Sequence, residues 1–446
     1  MTACLRGALA AILFGLLVHP PAAFGQEAPA EVMFTDVRVF DGTSDTLSPP
    51  TNVVVRGNVI AVIGPEARPE RDGATVIEGK GRTLMPGMID NHVHMMFNSL
   101  SPAQMASPDM GLERIMKLSA GQAEAMLLRG FTAVRDVGGP SFELKRLIDA
   151  GKIKGPRIWP SGPMISQTSG HADLRGPSEP SRRFTGKVRH AEEVWASVIA
   201  DGRDEVLTAV RENLRLGASQ IKISAGGGTS SEYDPLDVTQ YTLDEMKAAV
   251  DAASDWNTYV TVHAYHPKSV RRAIEAGVKV IEHGNLLDEA TLRLMADKGV
   301  WLSGQMLVES TEAMDPKRRE KRKPVIEGQK IVWPMAKRLG VKLAWGTDFL
   351  FEPDLNEQQN AYLLRLKPYF TPAELLRLVT SQNAELLALS GPRTPYEGRL
   401  GVVAQGALAD LILVEGNPLA DIDLIGDPAR SFAVIMKDGV IVKGAP

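Results

Sequence analysis

The sequence predicts an α/β fold: a (β/α)8 TIM barrel carrying a small β-sandwich domain built from both chain ends. Three observations lead there. Residues 87–391 alternate short apolar strand patterns with helical segments, and eight such strands can be counted. The flanks, 26–86 and 392–446, are rich in short Val and Ile runs separated by turn residues. Four of the eight histidines, together with one lysine and one aspartate, stand at the ends of barrel strand patterns.

The first 25 residues stand apart. Arg6 precedes an apolar stretch, Ala8 to Val18, and the small residues Ala22-Ala23-Phe24-Gly25 follow. That is the layout of a signal peptide cleaved after Gly25, so an exported protein, periplasmic or extracellular, is expected. The stretch is shorter than the ~20 residues of a membrane span, so no stable membrane association should remain after cleavage. Cys4 is the only cysteine and leaves with the leader. The mature chain then has no thiolate for a metal, a nucleophile or a disulfide, and its stability must come from a large core. Net charge is −4, and the basic run Lys317 to Lys323 reads as a solvated helix face. The rest of the chain is not basic, so a nucleic-acid partner is not expected.

The elements follow in order. Val37 to Phe40, Val53 to Val55, Val59 to Ile63 and Thr75 to Ile77 are strand patterns divided by Asp41-Gly42, Arg56-Gly57-Asn58 and Gly79 to Gly81. Asp410 to Val414 and Phe432 to Met436 repeat the texture, with a hairpin signal at Lys437-Asp438-Gly439-Val440. Neither end has enough strands to close a core, so the two are expected to combine. Barrel strands are expected near Met88, Thr132, Arg157, Gln220, Val260, Val280, Val300 and Lys342. Helices are expected at Leu112 to Arg129, Asp204 to Leu216, Leu243 to Trp256 and Ser269 to Ala276, among others. An open doubly wound sheet loses to the barrel for two reasons. No Gly-x-Gly-x-x-Gly follows an early strand, and only a closed barrel brings residues from strands 1, 4, 5, 6 and 8 to one point.

Those residues are His92, His94, Lys222, His263, His283 and Asp348, and they read as ligands of a two-metal hydrolytic site. His92 and His94 are two apart, so on a strand they share a face. His263 and His283 end successive strands, and Asp348 ends the eighth, which neighbours the first in a closed barrel. An inward lysine is costly unless paired or neutralised. Lys222 could be carbamylated by CO2 into an anionic ligand that bridges two metals, or could be salt-bridged to Asp136 or Asp348. Asp136 reads as a support behind the ligands or such an ion-pair partner. Glu282 points opposite to His283 on its strand and reads as buried outward against a helix. His171 follows strand 3 in a Gly-rich turn and reads as a substrate contact or a surface histidine. Gly226-Gly227-Gly228 allows close backbone approach to a ligand, and its amides could bind a carboxylate. It is not a P-loop, since no Gly-Lys-Ser/Thr follows. Tyr233 on the same loop could donate to substrate or pack the loop, and Tyr265 and His266 fall on the rim.

The run Pro86-Gly87-Met88-Ile89-Asp90-Asn91-His92-Val93-His94 resembles the strand-1 signature of the amidohydrolase superfamily. Gln220-Ile221-Lys222, Thr261-Val262-His263-Ala264, Ile281-Glu282-His283-Gly284, Gly346-Thr347-Asp348 and the closing Gly406 to Leu411 resemble its later motifs, in order. Thr168 to Asp173 and Ala225 to Ser230 are similar to the imidazolonepropionase-related branch of metal-dependent carboxypeptidases and Xaa-Pro dipeptidases. The resemblance implies N6-carboxylysine at Lys222 bridging two divalent ions, most often Zn2+. His92, His94 and Asp348 would then hold the more buried ion, and His263 and His283 the other. A bridging hydroxide would attack the scissile carbonyl, with Asp348 carrying its proton to the leaving amine. It also implies that His171 meets the substrate carbonyl or carboxylate. The expected activity is hydrolysis of an amide next to a free carboxylate, in Xaa-Pro dipeptides or N-acyl amino acids, including ochratoxin-like amides. A cyclic amide of the imidazolone type is the rival substrate, and a non-catalytic barrel would have lost at least one ligand. A deaminase of the superfamily would lack the strand-4 lysine. By analogy with the family a homo-oligomer is admitted. Two loops depart from the pattern, Ser224 to Gly228 and Gly304 to Ser310, and both border the pocket.

Overall fold

The barrel strands form where the apolar runs predict them. In chain order they are β1 (Met88–Val93), β2 (Phe131–Asp136), β3 (Arg157–Pro160), β4 (Ile221–Ser224), β5 (Val260–Ala264), β6 (Val280–His283), β7 (Trp301–Gly304) and β8 (Leu343–Trp345). The structure is a computed structural model that describes residues 30–231, 233–308 and 314–444; the expected leader lies outside them. Strands β1 to β3 form one parallel ladder and β4 to β8 another.

Two seams join the ladders. At the first, Ser219 N–H donates to Pro160 O (2.8 Å), and the Gln220 side chain donates to Trp159 O (2.9 Å) and Asp136 O (3.1 Å). A short strand, Met164–Ser166, carries on from β3 and pairs with β4 at Ile165 and with Ser197–Ile199 on its other side. At the second seam, Asp348 N–H donates to His92 O (2.8 Å). Below it the Asn383 amide donates to Ile89 O (2.7 Å) and Trp345 O (2.9 Å) and accepts from Trp345 N–H (3.1 Å). One side chain thus supplies the hydrogen bonds that a ladder would make.

The helices agree with their sequence patterns to within two residues at each end: Leu112–Leu128, Arg203–Arg215, Leu243–Asp255 and Pro267–Ala276. Thr242 and Glu245 form a capping box at the start of Leu243–Asp255. Pro267 opens the next helix and left-handed Gly277 (φ 102°) closes it. Among the described residues no helix is long and apolar enough to cross a membrane.

The basic run lies on helix Pro316–Arg338, but it is not simply a solvated face. Lys321 turns inward and donates to Gly228 O (2.9 Å), Ser231 O (2.7 Å) and Asp234 O (2.8 Å). Arg322 is buried and donates to Val308 O (3.0 Å). Charge count alone could not reveal this, because the partners are backbone carbonyls of a distant loop.

Both chain ends enter one sheet. Thr83–Pro86 pairs antiparallel with Leu411–Val414, joining Glu31–Val39, Thr51–Arg56, Val59–Gly64 and Thr75–Glu78 to Phe432–Lys437 and Val440–Lys443. Asp438 (φ 55°) and Gly439 (φ 74°) make the two-residue hairpin turn that the Asp-Gly pair predicts. The sheet encloses its own apolar cluster, with Phe34, Val53, Ile60, Leu84, Leu413 and Met436 at its centre. Arg157 of β3 reaches down to Asp410 (3.1 and 3.3 Å) and Asp438 (2.5 Å), locking this sheet to the barrel. Arg157 and Asp410 are both nearly fully buried. Removing one partner of such a pair strands a buried charge, at a cost of about 3–5 kcal/mol. Arg157→Ala should therefore lower the melting temperature clearly, and Arg157→Ala with Asp410→Ala should cost less than the two single losses added. Strict additivity in that double-mutant cycle would show that the pair does not couple the two parts.

Candidate active site

Five of the six residues singled out in the sequence meet at the C-terminal mouth of the barrel, and Lys222, buried on β4, lies within electrostatic reach of Glu282 and Asp348. The His92 and His94 rings lie 5.4 Å apart, His92 and His283 5.1 Å, and His263 and His283 4.4 Å. His92 Nε2 and His94 Nε2 each stand 3.2 Å from the same oxygen of Asp348, Oδ1. For His92 that contact has no hydrogen-bond geometry, and its Nε2 is a buried nitrogen without a hydrogen-bond partner among the described residues. Ring and carboxylate converge on a common point rather than on each other. Among the described residues these three form the one group of His and carboxylate side chains close enough to share an ion, with ligand atoms within 4.8 Å.

The opposite ring nitrogens test whether the set fits metal ions. His92 Nδ1 faces Glu282 Oε2 (2.8 Å), His94 Nδ1 faces Gly138 O (3.1 Å), and His283 Nδ1 faces Gln305 Oε1 (2.6 Å). Each acceptor calls for a proton on Nδ1, which leaves Nε2 with a lone pair. His263 is the reverse: its Nε2 donates to Gly227 O (3.1 Å), leaving Nδ1. Four histidines, each tied at one nitrogen and open at the other, are a donor set that divalent ions fit.

Charge supports the same reading. Burial alone would raise the Asp348 carboxyl, but His92, His94 and His283 around it hold it well below the usual carboxylate range. Burial pushes the Lys222 ammonium down to about 8, although Glu282 and Asp348 nearby oppose it. Lys222 is therefore deprotonated far more readily than an exposed lysine, and the neutral amine is the form that reacts with CO2.

Glu282 corrects the sequence reading. It does not pack outward against a helix; it is fully buried in the lumen, bound to His92, to Arg135 Nη2 (2.6 Å) and to Thr261 Oγ1. Alternation failed because His283 leaves the strand with φ 74°, which turns its side chain to the site beside Glu282 instead of away from it. Asp348 has the same left-handed backbone, φ 55°. Asp136 stands behind the ligands as a support, accepting Met95 N–H (2.9 Å) and Ser141 O–H (2.5 Å).

His171 is brought into the site. Its ring stacks on His263 at 3.6 Å, nearly parallel, and its Nδ1 faces Ser231 Oγ (2.9 Å) and Asp234 Oδ2 (3.5 Å). The glycines differ from expectation. Gly228 N–H already donates to Asp234 Oδ2 (2.9 Å), and Gly227 serves through its carbonyl. A methyl group on Gly228 would fall 2.1 Å from His171 Nδ1, and one on Gly227 1.8 Å from Pro235 O. The close approach they permit is to the protein itself. Tyr233 is half exposed on the wall of a neighbouring cavity, Tyr265 packs against His263 and His283, and His266 caps the following helix instead. Residues missed in the sequence are Arg135, Gln305, Asp234 and Lys321; each acts through a partner far away in the chain.

Two variants test these supports. Glu282→Gln removes the anion that holds His92, so metal affinity should drop roughly 10–100-fold in a chelator competition. An unchanged affinity would end that role. Asp136 is raised by burial to about 7, against 3.8 ordinarily. Native Asp136 therefore keeps a proton that the unfolded chain loses between about pH 4 and 7. Its stabilising contribution is complete below the lower value and is lost as pH climbs through the upper one. The melting temperature of Asp136→Asn relative to the wild type should rise across that window and then level off; a flat difference would mean that Asp136 stays ionised.

Comparison with known proteins places this arrangement. The model of the amidohydrolase family matches residues 83–445. Ochratoxinase of Aspergillus niger is 30% identical over 410 residues, spanning 88% of this chain and 82% of that protein. A crystal structure of a prolidase complexed with N-methylphosphonate-L-proline superimposes with a TM-score of 0.84 at 32% identity, covering 93% of this chain and 100% of that one. A Xaa-Pro dipeptidase with bound methionine in its active site gives 0.80 at 29% identity over the same shares. With the strand-end motifs, the closed parallel barrel and a match over most of its length in agreement, this chain belongs to the amidohydrolase family.

Proposed function

We propose that the protein is a binuclear metal-dependent hydrolase that cleaves an amide bond next to a free carboxylate, as in Xaa-Pro dipeptides or N-acyl amino acids. The observation that carries this reading is the convergence of His92 Nε2 and His94 Nε2 on one oxygen of Asp348. The family is a family of C–N hydrolases, and a prolidase and a Xaa-Pro dipeptidase share the fold over nearly the whole chain. Ochratoxinase of Aspergillus niger, a relative along most of the chain, fits the N-acyl amino acid side of this reading.

His92, His94 and Asp348 would hold one ion, His263 and His283 the second, and Lys222 as its carbamate both. Two divalent ions held there, Zn2+ by preference, would supply an acidified water near neutral pH and polarisation of the scissile carbonyl. The protein's own groups do the rest. Asp348 is the most exposed side chain of the three that converge, at 19% against 1% and 3% for the two histidines, so one of its oxygens can face substrate. It takes the proton of the attacking water and delivers it to the leaving amine. His171, held by Ser231 and stacked on His263, orients the substrate carbonyl. Glu282 and Gln305 keep His92 and His283 in the tautomers that the ligand role requires. Residues 87–391 would serve as the catalytic barrel, with the two flanks, 26–86 and 392–446, as the small domain beside it. The leader, residues 1–25, would direct the enzyme out of the cytoplasm, where small amides from the surroundings are its substrates.

Metal analysis and turnover test the reading together. Wild type loaded with zinc should hold two ions per chain and hydrolyse Xaa-Pro dipeptides or N-acyl amino acids. Lys222→Ala should hold one ion or none and lose turnover by several orders of magnitude. Two tightly held ions in that variant would overturn the bridging carbamate, and failure of the loaded wild type on both substrate classes would overturn the choice of substrate.

A further inference from the structure

A further buried carboxylate, Asp90, stands two residues before His92 on β1 and takes no part in the reaction as proposed. Its Oδ1 accepts His92 N–H (3.1 Å) and Thr347 N–H (3.0 Å). Its Oδ2 accepts the Thr347 hydroxyl (2.7 Å) and Gln359 Nε2 (2.9 Å). Asp90 thus ties the strand that carries His92 and His94 to the turn that carries Asp348. The fit there is tight: a methyl group on Gly346 would fall 2.8 Å from Asp90 Oδ1 and 2.3 Å from His92 N. A rotation of the Asp90 carboxylate is therefore passed on to residues 346–348. Of its donors, only Gln359 comes from outside the strand ends.

Gln359 is buried and opens the helix Gln359–Leu364 beyond β8. Its Oε1 accepts from Arg129 Nε (3.1 Å), at the C-terminal cap of Leu112–Leu128. The amide has one orientation that serves both neighbours. Turned over, it would set its carbonyl against the Asp90 carboxylate and its NH2 against the guanidinium. Among the described residues Gln359 is the one side chain to which Arg129 donates, and Arg129 Nη2 is buried without a hydrogen-bond partner. The next residue, Asn360, fixes the helix itself by donating to Arg129 O (3.1 Å) and Ile425 O (2.9 Å). The Gln359 side chain is therefore not needed to dock its own helix. Its hydrogen bonds act on the orientation of Asp90.

We propose that Gln359, itself oriented by Arg129, is a positioning residue of the hydrolytic site. It fixes the rotation of the Asp90 carboxylate and, through Thr347, the aim of Asp348 at the point it shares with His92 and His94. The proposal rests on the reading of Asp348 as metal ligand and proton carrier. Both roles demand exact placement, since a shift of about 1 Å in a reacting group can cost on the order of 100-fold in rate. Asp348 keeps its left-handed backbone (φ 55°) only while its neighbours hold it, and Thr347 is the neighbour that Asp90 holds. Gln359 meets neither His171 nor the loop after β4, so substrate binding should not depend on it.

Full-length protein loaded with Co2+ tests this, because the visible absorption of that ion follows the arrangement of its ligands. Gln359→Met keeps the volume and removes both side-chain hydrogen bonds. It should change the Co2+ spectrum and lower kcat roughly 10–100-fold at nearly unchanged KM, with the metal count of the wild type retained. Arg129→Met should move both readouts the same way by less, and should add nothing in the Gln359→Met background. A merely structural contact would lower the melting temperature and leave spectrum and kcat as in the wild type, which overturns the proposal. Full additivity of the two substitutions would overturn it as well. If Gln359→Met does not fold, Arg129→Met decides by the same spectrum. A wild type that binds Co2+ but turns over neither substrate class counts against the hydrolytic assignment, while the spectral comparison still decides on Gln359. A wild type that binds no Co2+ ends both.

Discussion

The ion pair between Arg135 and Glu282 at the centre of the barrel is the contact on which the site depends. Both side chains are fully buried. Arg135 comes from β2 and reaches Asn91 O in β1 (2.8 Å), Tyr259 OH just before β5 (3.4 Å), Glu282 in β6 and Ser303 Oγ in β7 (3.3 Å). Glu282 in turn holds His92 and Thr261. Burial would raise the Glu282 carboxyl, yet Arg135 beside it, with His92, holds it well below the usual range. It is therefore an anion wherever the site works. A buried charge pair contributes little to stability relative to an apolar core, but losing one member is expensive, so the geometry is hard to distort. The spacing of the strands at the level of the ligands follows from this network more than from the outer helices.

Much of this was legible in the sequence because it is local. A histidine at the end of an apolar strand, or two histidines two residues apart, is a short-range pattern, and the closed barrel then brings the strand ends together. Strand positions and the helices followed from period and turn residues, whereas the β-sandwich expected of the two termini is found as one eight-stranded sheet drawn from both. What failed had physical causes of another kind. The side of Glu282 was misjudged because His283 breaks alternation by a left-handed backbone, which no pattern of polarity announces. The glycines after β4 were assigned to a ligand, whereas they make room for His171 and Pro235 O. The strands Met164–Ser166 and Ser197–Ile199 are three residues each, too short to show a period.

His283 and Asp348 share that left-handed conformation, which costs a non-glycine residue about 1–3 kcal/mol when the surroundings must hold it. The surroundings are visible in both cases. Gln305 pins the His283 ring, while the Asp348 backbone N–H is fixed on His92 O and its neighbour Thr347 is bound to Asp90 through backbone (3.0 Å) and hydroxyl (2.7 Å). Strain at the two positions where a strand gives way to a loop lets the side chains aim at a point above the barrel axis, which regular strand geometry would deny them.

The ligands and the substrate-facing groups are therefore held by different means. The ligands sit on strands braced from below by the lumen network and by Asn383. His171, Ser231 and Asp234 belong to loops, and the loop after β4 is held by Lys321, which reaches across from the helix after β7 to the carbonyls of Gly228, Ser231 and Asp234. A change in that helix can move the loop after β4 without touching a metal ligand. The candidate ligands are thus shielded from changes in that outer element, while the loop after β4 is exposed to them.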